Sequence, residues 1–315
     1  MIGRHGRELS VTAAYLLVLA LMAALAPRFF EARPLADFAV RNASVLVAAV
    51  GMTLVILSRQ IDISVGSQAS VCAVAAGLLA KSGLPMPLVG LGTLAVGAGL
   101  GAINGLLVAG LGLPSIVVTL ATLVILRESL RYLREGEFVR GIPAGFQWFG
   151  AGQGVGQWVV VGIALAVFVG FAWGMRYLAA GRAVYATGSD PEAARLAGIR
   201  PKRVVFSVFA TMGALAGLYA VLNAVQFPAV DPKTGTGLEM QVIAAAVIGG
   251  AAVSGGRGTM LGTLLGVLLL GTISPALVYL NAAMDWQITA EWEKAIQGAI
   301  ILLAVASDGL TRGAR

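Results

Sequence analysis

Catalysis needs groups that exchange protons, hold metals or attack electrophiles, and this chain has few of them in useful company. His5 is the sole histidine, which excludes a buried Ser/His/Asp arrangement and a histidine-rich metal cluster. Cys72, the sole cysteine, lies in an apolar run, so one chain forms neither a disulfide nor a thiolate metal site. The four lysines, Lys81, Lys202, Lys233 and Lys294, follow Ala, Pro, Pro and Glu, so no Gly-Lys-Ser/Thr phosphate loop exists. The expectation is a protein that is not an enzyme, with no catalytic residue, metal or cofactor of its own.

The charged residues near apolar segments carry more information, because burying them in lipid is costly. Arg59 and Asp62 interrupt the apolar run in "LSRQIDISVGS" (57–67), where Ser64 and Ser67 can cap freed backbone groups. Two readings stand: an ordinary turn between two membrane segments, or a broken helix bordering a polar path. Arg127, Glu128, Arg131 and Glu135 are three or four apart, a spacing that pairs charges along one helix near the outer interface, where a solvated, snorkelling helix end is the plain reading. Glu239 in "TGTGLEM" (234–240) opens a helical segment after a glycine-rich turn, where a carboxylate favours the helix dipole.

The elements that position these residues follow from composition. Of 315 residues, 58% are hydrophobic and 12% charged, and the mean hydropathy is +0.88. That is too apolar for a single soluble core, and the bilayer is the natural solvent. Ten apolar segments are expected to be membrane helices, at about 11–26, 43–58, 65–80, 88–110, 114–133, 158–178, 204–222, 238–253, 259–280 and 292–308. The first reads as a retained helix, since Ala26-Pro27-Arg28 makes a poor cleavage site. The fold class is therefore an all-α integral membrane protein, a polytopic helical bundle of about ten transmembrane helices.

The net charge of +7 is scattered between apolar segments without an aromatic-basic patch, so it bears on orientation and not on nucleic acid. Between Arg176 and Arg203 six basic residues face two acidic ones, which places this stretch, and with it both termini, in the cytoplasm. Arg28, Arg33 and Arg41 run against this pattern. Glycines four apart, Gly97/Gly101/Gly105 and Gly258/Gly262/Gly266, each make a bare helix face suited to close packing.

Residues 181–204 form a polar insert in this apolar chain. Within its "ATGSDPEAARLAGIRPKRV" (186–204), Ser189 and Glu192 have capping-box spacing, Asp190 is an alternative cap, and Pro191 suits a first turn. Gly198 and Pro201 end the helix after about seven residues, or roughly 10 Å, too short to span a membrane. Ala193, Ala194, Ala197, Leu196 and Ile199 suit a shallow groove on a partner.

This insert resembles the cytoplasmic coupling loop of ribose-type ATP-binding-cassette permeases, through Gly181, Ala186-Thr187-Gly188, Glu192-Ala193-Ala194 and Gly198-Ile199. The likeness continues through "GMTLVILSRQIDISVGS" (51–67), "GAINGLLV" (101–108), "VVTLATL" (117–123), "VIGGAAVSGGRGTMLGT" (247–263) and "GAIILLAV" (298–305). It implies one permease domain over 1–315, with a coupling loop at about 179–203 holding a short coupling helix. The implied function is import of a small sugar across the bacterial inner membrane. A periplasmic substrate-binding protein would deliver the sugar, and ATPase subunits that bind ATP and Mg would power import. A second permease copy, identical or similar, would complete the pore. Gly188, Glu192, Ala193, Ala194, Arg195 and Gly198 would couple to the ATPase, and Asp62, Ser64, Ser67, Asn104, Thr119, Thr122 and Glu239 are candidates for the translocation path. Arg59-Gln60 stands where ribose permeases often carry Gly-Gly; with "TGTGLEM" this looks like the autoinducer-2 and rhamnose branch. A branched-chain amino-acid permease, a secondary sugar symporter and a non-transporting scaffold are the competing readings.

Overall fold

A computed structural model describes residues 2–284 together with 292, 295, 296, 298 and 299. Eleven helices follow one another among the described residues: α1 (Ile2–Leu25), α2 (Ala32–Leu57), α3 (Val65–Lys81), α4 (Met86–Gly105), α5 (Ser115–Arg134), α6 (Gly152–Tyr177), α7 (Ala179–Ser189), α8 (Pro191–Leu196), α9 (Pro201–Ala224), α10 (Leu238–Ile248) and α11 (Met260–Met284). A π turn at Leu106–Gly110 prolongs α4. The sole β pairing among them is an isolated antiparallel bridge between Val139 and Val230.

Among the described residues six helices, α1, α2, α4, α6, α9 and α11, are long and apolar enough to cross a membrane. The others expected to span differ for identifiable reasons. With 17 and 11 residues, α3 and α10 reach only part of the way across a 30 Å slab at about 1.5 Å per residue. α5 has the length, but Arg127, Glu128, Arg131 and Arg134 occupy its second half. The segment expected at 238–253 stops at Ile248, where glycines 249 and 250 open an irregular turn. The segment at 292–308 lies largely outside the described residues.

α2 is the central post. Its residues from Asn42 to Leu57 are all buried, as suits a helix that is apolar on every side, and α6, α9, α10 and α11 surround it. The antiparallel α4 and α9 approach backbone to backbone. A Cβ added at Gly97 or Gly101 would collide with the carbonyl oxygens of Gly213 and Phe209, and one at Gly217 would come within 2.7 Å of the Thr93 oxygen. Where lipid tails are as apolar as the side chains, such proximity gives helices the dispersion contacts that hold them together. Gly262 and Gly266 do the same for α11 against Gly249 and Ala245 of the α10 region. Gly258, expected on that face, instead precedes the helix in a turn with φ +149°. A buried pair of hydroxyls, Thr53 and Thr263 at 2.6 Å, ties α2 to α11.

Candidate functional site

Three polar constructions interrupt this apolar bundle. The first is the break between α2 and α3. α2 ends at Leu57 with Ser58 as its C-cap, and Arg59 adopts φ +65°, a left-handed conformation that glycine takes without strain and other residues take at a cost of about 1 kcal/mol or more. The non-helical residues that follow bring Asp62 inside. Asp62 Oδ1 accepts from the Ser64 backbone N–H (2.9 Å) and the Ser64 hydroxyl (2.6 Å), and Oδ2 accepts from Gln68 Nε2 (3.1 Å). The Ser64 oxygen in turn accepts from Gln68 Nε2 and from Asn104 Nδ2 of α4, both at 2.8 Å. Thr122 of α5 closes the chain by donating to Asn104 Oδ1 at 2.7 Å. Thr119 donates to Ser115 O at 2.9 Å, and Ser67 to Ser64 O at 2.8 Å within its own turn.

Asp62, Ser64, Ser67, Gln68, Asn104 and Thr119 are all buried, so the network pins three elements, α3, α4 and α5, around the break. An unpaired polar group here costs about 1–3 kcal/mol, so the bonds among Asp62, Ser64, Asn104 and Thr122 weigh on the shape, while Gln68 Oε1 stays buried without a hydrogen-bond partner among the described residues. Of the path candidates taken from the sequence, the structure brings Asp62, Ser64, Asn104 and Thr122 into one network, leaves Ser67 on a local backbone carbonyl, and joins Thr119 both to Ser115 O and to Ile61 O in the break, the latter at 3.4 Å. Gln68 completes the network, and its signal was legible: it stands four residues after Ser64 and six after Asp62, on the same helix face.

Glu239 forms the second construction, which shares no hydrogen bond with that network among the described residues but lies against it at Gly66. It sits in the first turn of α10, as the dipole argument requires, and its carboxylate Oε1 accepts from Arg127 Nη2 of α5 at 3.1 Å. Arg127 therefore pairs across helices; of the expected intrahelical set only Glu128 and Arg131 pair along α5, while Glu135 falls in the left-handed residue that ends the helix. Glycines 66 and 235 make room for the carboxylate: a Cβ at Gly66 would collide with Glu239 Oε2, and one at Gly235 with the Gly66 oxygen.

The third construction lies at the end of the bundle where α2 finishes. α7, which has no counterpart among the elements expected from sequence, lies between α6 and α8. A Cβ at Gly188 near its end would collide with the Leu57 carbonyl oxygen, which also accepts from Gly256 N at 2.9 Å. Gly256 has φ +70°, and a Cβ there would come within 2.7 Å of Ser189 Cα. α2, α7 and the glycine-rich turn before α11 thus meet at three glycine contacts. Tyr185 donates to Gly258 O at 2.9 Å; burial pushes its phenol above the ordinary value, so it remains a donor.

α8 rides on this seat. Its cap is Asp190, whose Oδ1 accepts from Glu192 N (2.9 Å) and Ala193 N (3.1 Å), while Ser189 belongs to α7 and caps nothing. At the other end Gly198 N bonds Arg195 O and Ile199 N bonds Ala194 O, both at 3.0 Å, with Gly198 at φ +83°. That is a Schellman closure. Glu192 and Arg195 pair on the exposed side at 2.9 Å. Ala194 is only 3% exposed and points into the chain, whereas Leu196 is 81% exposed and projects outward beside exposed Ala193 and Ala197. Among the sequence's coupling candidates, Gly188 and Ala194 belong to the seat, and Glu192, Ala193, Arg195 and Gly198 belong to the free face with Leu196.

Six long apolar helices among the described residues, with α2 at their centre and a capped short helix displayed at one end, define a polytopic membrane protein. Residues 35–305 match the family described as the permease component of branched-chain amino acid transport systems, and the chain belongs to that family. It is 34% identical over 309 residues to the autoinducer 2 import system permease protein LsrC of Salmonella typhi, covering 98% of this chain and 87% of that one. The corresponding LsrC of Enterobacter sp. (strain 638) is 35% identical over 98% of this chain and 88% of its own length, and that of Escherichia coli (strain K12 / DH10B) is 33% identical over 98% and 89%. No solved structure matches the chain.

Proposed function

We propose that this chain is the membrane-spanning subunit of an ATP-binding-cassette importer in the bacterial inner membrane, and that it moves a small sugar-like molecule such as autoinducer 2, rhamnose or another monosaccharide. The observation that carries this reading is similarity to autoinducer 2 import permeases along 98% of the chain. The branched-chain amino acid alternative has the family's description behind it, but the relatives that match nearly end to end favour the sugar-like cargo.

In this reading about ten helical segments lie in the membrane, α3 and α10 reaching only part of the way across, with both termini in the cytoplasm, and α8 lies on the cytoplasmic surface amid the basic residues between Arg176 and Arg203. Separate ATPase subunits bind ATP and Mg and dock on α8. Leu196, Ala193 and Ala197 supply the apolar contact there, and the Glu192–Arg195 pair supplies the polar rim. Because Gly188 holds α7 against the end of α2 without intervening side chains, movement of α8 passes directly into the post at the centre of the bundle. A periplasmic binding protein delivers the sugar at the opposite end, and a second permease copy completes the pathway.

Membrane vesicles containing the permease, the ATPase and the binding protein test this. ATP-dependent uptake of labelled rhamnose or ribose is expected, with no uptake in vesicles lacking the ATPase. Uptake driven by an ion gradient without ATP would instead make this a secondary transporter.

A further inference from the structure

The Arg127–Glu239 pair has features that a purely architectural ion pair does not need. Glu239 is nine-tenths buried, with its side chain 10% exposed, and uses one oxygen for Arg127; the other has no hydrogen-bond partner among the described residues. Arg127 is 36% exposed and makes no other hydrogen bond among the described residues. The carboxylate thus anchors the guanidinium, and the guanidinium presents its remaining N–H groups outward. Arg127 lies about 18 Å along α5 from Ser115 at 1.5 Å per residue, toward the end where Val139 and Val230 pair.

The surface around the pair is mixed, with Met240, Val124 and Ile125 exposed, but its polar part calls for water. Thr236 and Gly237 are exposed beside the start of α10, and Gln241 is half-buried one turn into it. Hydrocarbon would leave those polar groups and the guanidinium unsatisfied, a heavy cost that membrane proteins avoid by turning such residues toward a cavity. Electrostatics then selects the ligand. Glu239 neutralises Arg127, and the nearest charges along α5, Glu128 and Arg131, neutralise each other. An anion would find no net positive field, whereas hydroxyl oxygens of a neutral molecule would find oriented, charge-assisted donors.

We propose that Arg127, positioned by Glu239, is the contact through which the permease receives the hydroxyl groups of its cargo in the translocation path. This rests on the sugar-import reading above and adds the residue that does the recognising. Arg127 touches the cargo, and Glu239 is its positioning residue.

The test measures labelled rhamnose and ribose uptake together with ATP hydrolysis in vesicles holding permease, ATPase and saturating binding protein, with folded permease matched between variants. Arg127→Met is expected to lower the sugar moved per ATP about tenfold, the effect of losing one charge-assisted hydrogen bond, while hydrolysis stays within about twofold. Arg127→Lys, keeping charge with a different donor geometry, should fall between, and Glu239→Gln should resemble it. A merely structural pair would lower uptake and hydrolysis together, and that parallel loss, or wild-type uptake per ATP in all three variants, overturns the proposal. If excess ribose 5-phosphate competes with the sugars in the wild type and not in Arg127→Met, the contact selects anions and the neutral-ligand assignment fails. Wild-type vesicles that hydrolyse ATP but move neither these sugars nor labelled autoinducer 2 would sink the import reading itself, and this inference with it.

Discussion

Gly188 lies directly against the carbonyl oxygen of Leu57, with no side chain between α7 and the end of α2. That oxygen already holds the Gly256 amide, so the contact leaves no direction in which a larger residue can relax. Gly188→Ala is expected to force the two helices apart and destabilise the folded protein by about 1–3 kcal/mol, the usual cost of overpacking. Thermal unfolding in detergent checks this; an unchanged midpoint would mean that the seat is softer than its geometry.

Ala194 and Leu196 separate support from docking. Ala194→Arg puts a charge into a position 3% exposed and should lower the yield of folded permease, by several kcal/mol if the charge finds no partner. Leu196→Arg alters a residue 81% exposed. Its effect on stability should stay within about 0.5 kcal/mol, while co-purification with the ATPase and uptake both fail. Retention of ATPase binding by Leu196→Arg would show that the partner docks elsewhere.

The polar break offers a graded comparison. Ser64 Oγ joins Asp62, Gln68 and Asn104, whereas Ser67 Oγ reaches one backbone carbonyl. Ser64→Ala should therefore cost about 1–3 kcal/mol and Ser67→Ala clearly less. Equal melting points for the two variants would contradict the network.

Gly101→Leu is expected to prevent the close approach of α4 and α9, and Gly262→Leu that of α11 and the α10 turn, since each glycine meets backbone and not a movable side chain. Both should reduce folded protein in the membrane, read as detergent-extracted monodisperse material. Normal yield and melting in both would refute the packing argument.

Orientation can be read with one thiol. Cys72 is buried, so a Leu196→Cys variant carries a single reactive cysteine. A membrane-impermeant maleimide should label it in inside-out vesicles and leave it unlabelled in intact cells. The reverse pattern would turn the topology over.

Much of this protein was legible without a structure, because the bilayer imposes a simple code. Apolar runs of about 20 residues announce helices, and α4, α6, α9 and α11 fell close to where hydropathy placed them, while α1 and α2 ended as expected but began well before 11 and 43, which takes Arg33 and Arg41 into α2. The short helix was equally visible from Pro191, Gly198 and its acidic start, since caps are local and act within a few residues. Even so, the choice between Ser189 and Asp190 as cap depended on where α7 ended, and α7 has no strong local signature.

What only the tertiary structure decided involves partners distant in sequence. Nothing near Arg127 indicates that it will pair with a carboxylate 112 residues away and not with its helical neighbours, nor does spacing tell that Ala194 faces inward while Leu196 faces out. Hydropathy likewise could not distinguish a full span from α3 and α10, which are apolar but stop partway. The physical reason is that in a lipid environment almost every face of a helix is apolar, so the pattern that marks a buried face in water is missing. Which face packs, and where a charge can be tolerated, is settled by the backbone approaches that glycine permits and by polar groups finding one another across the bundle.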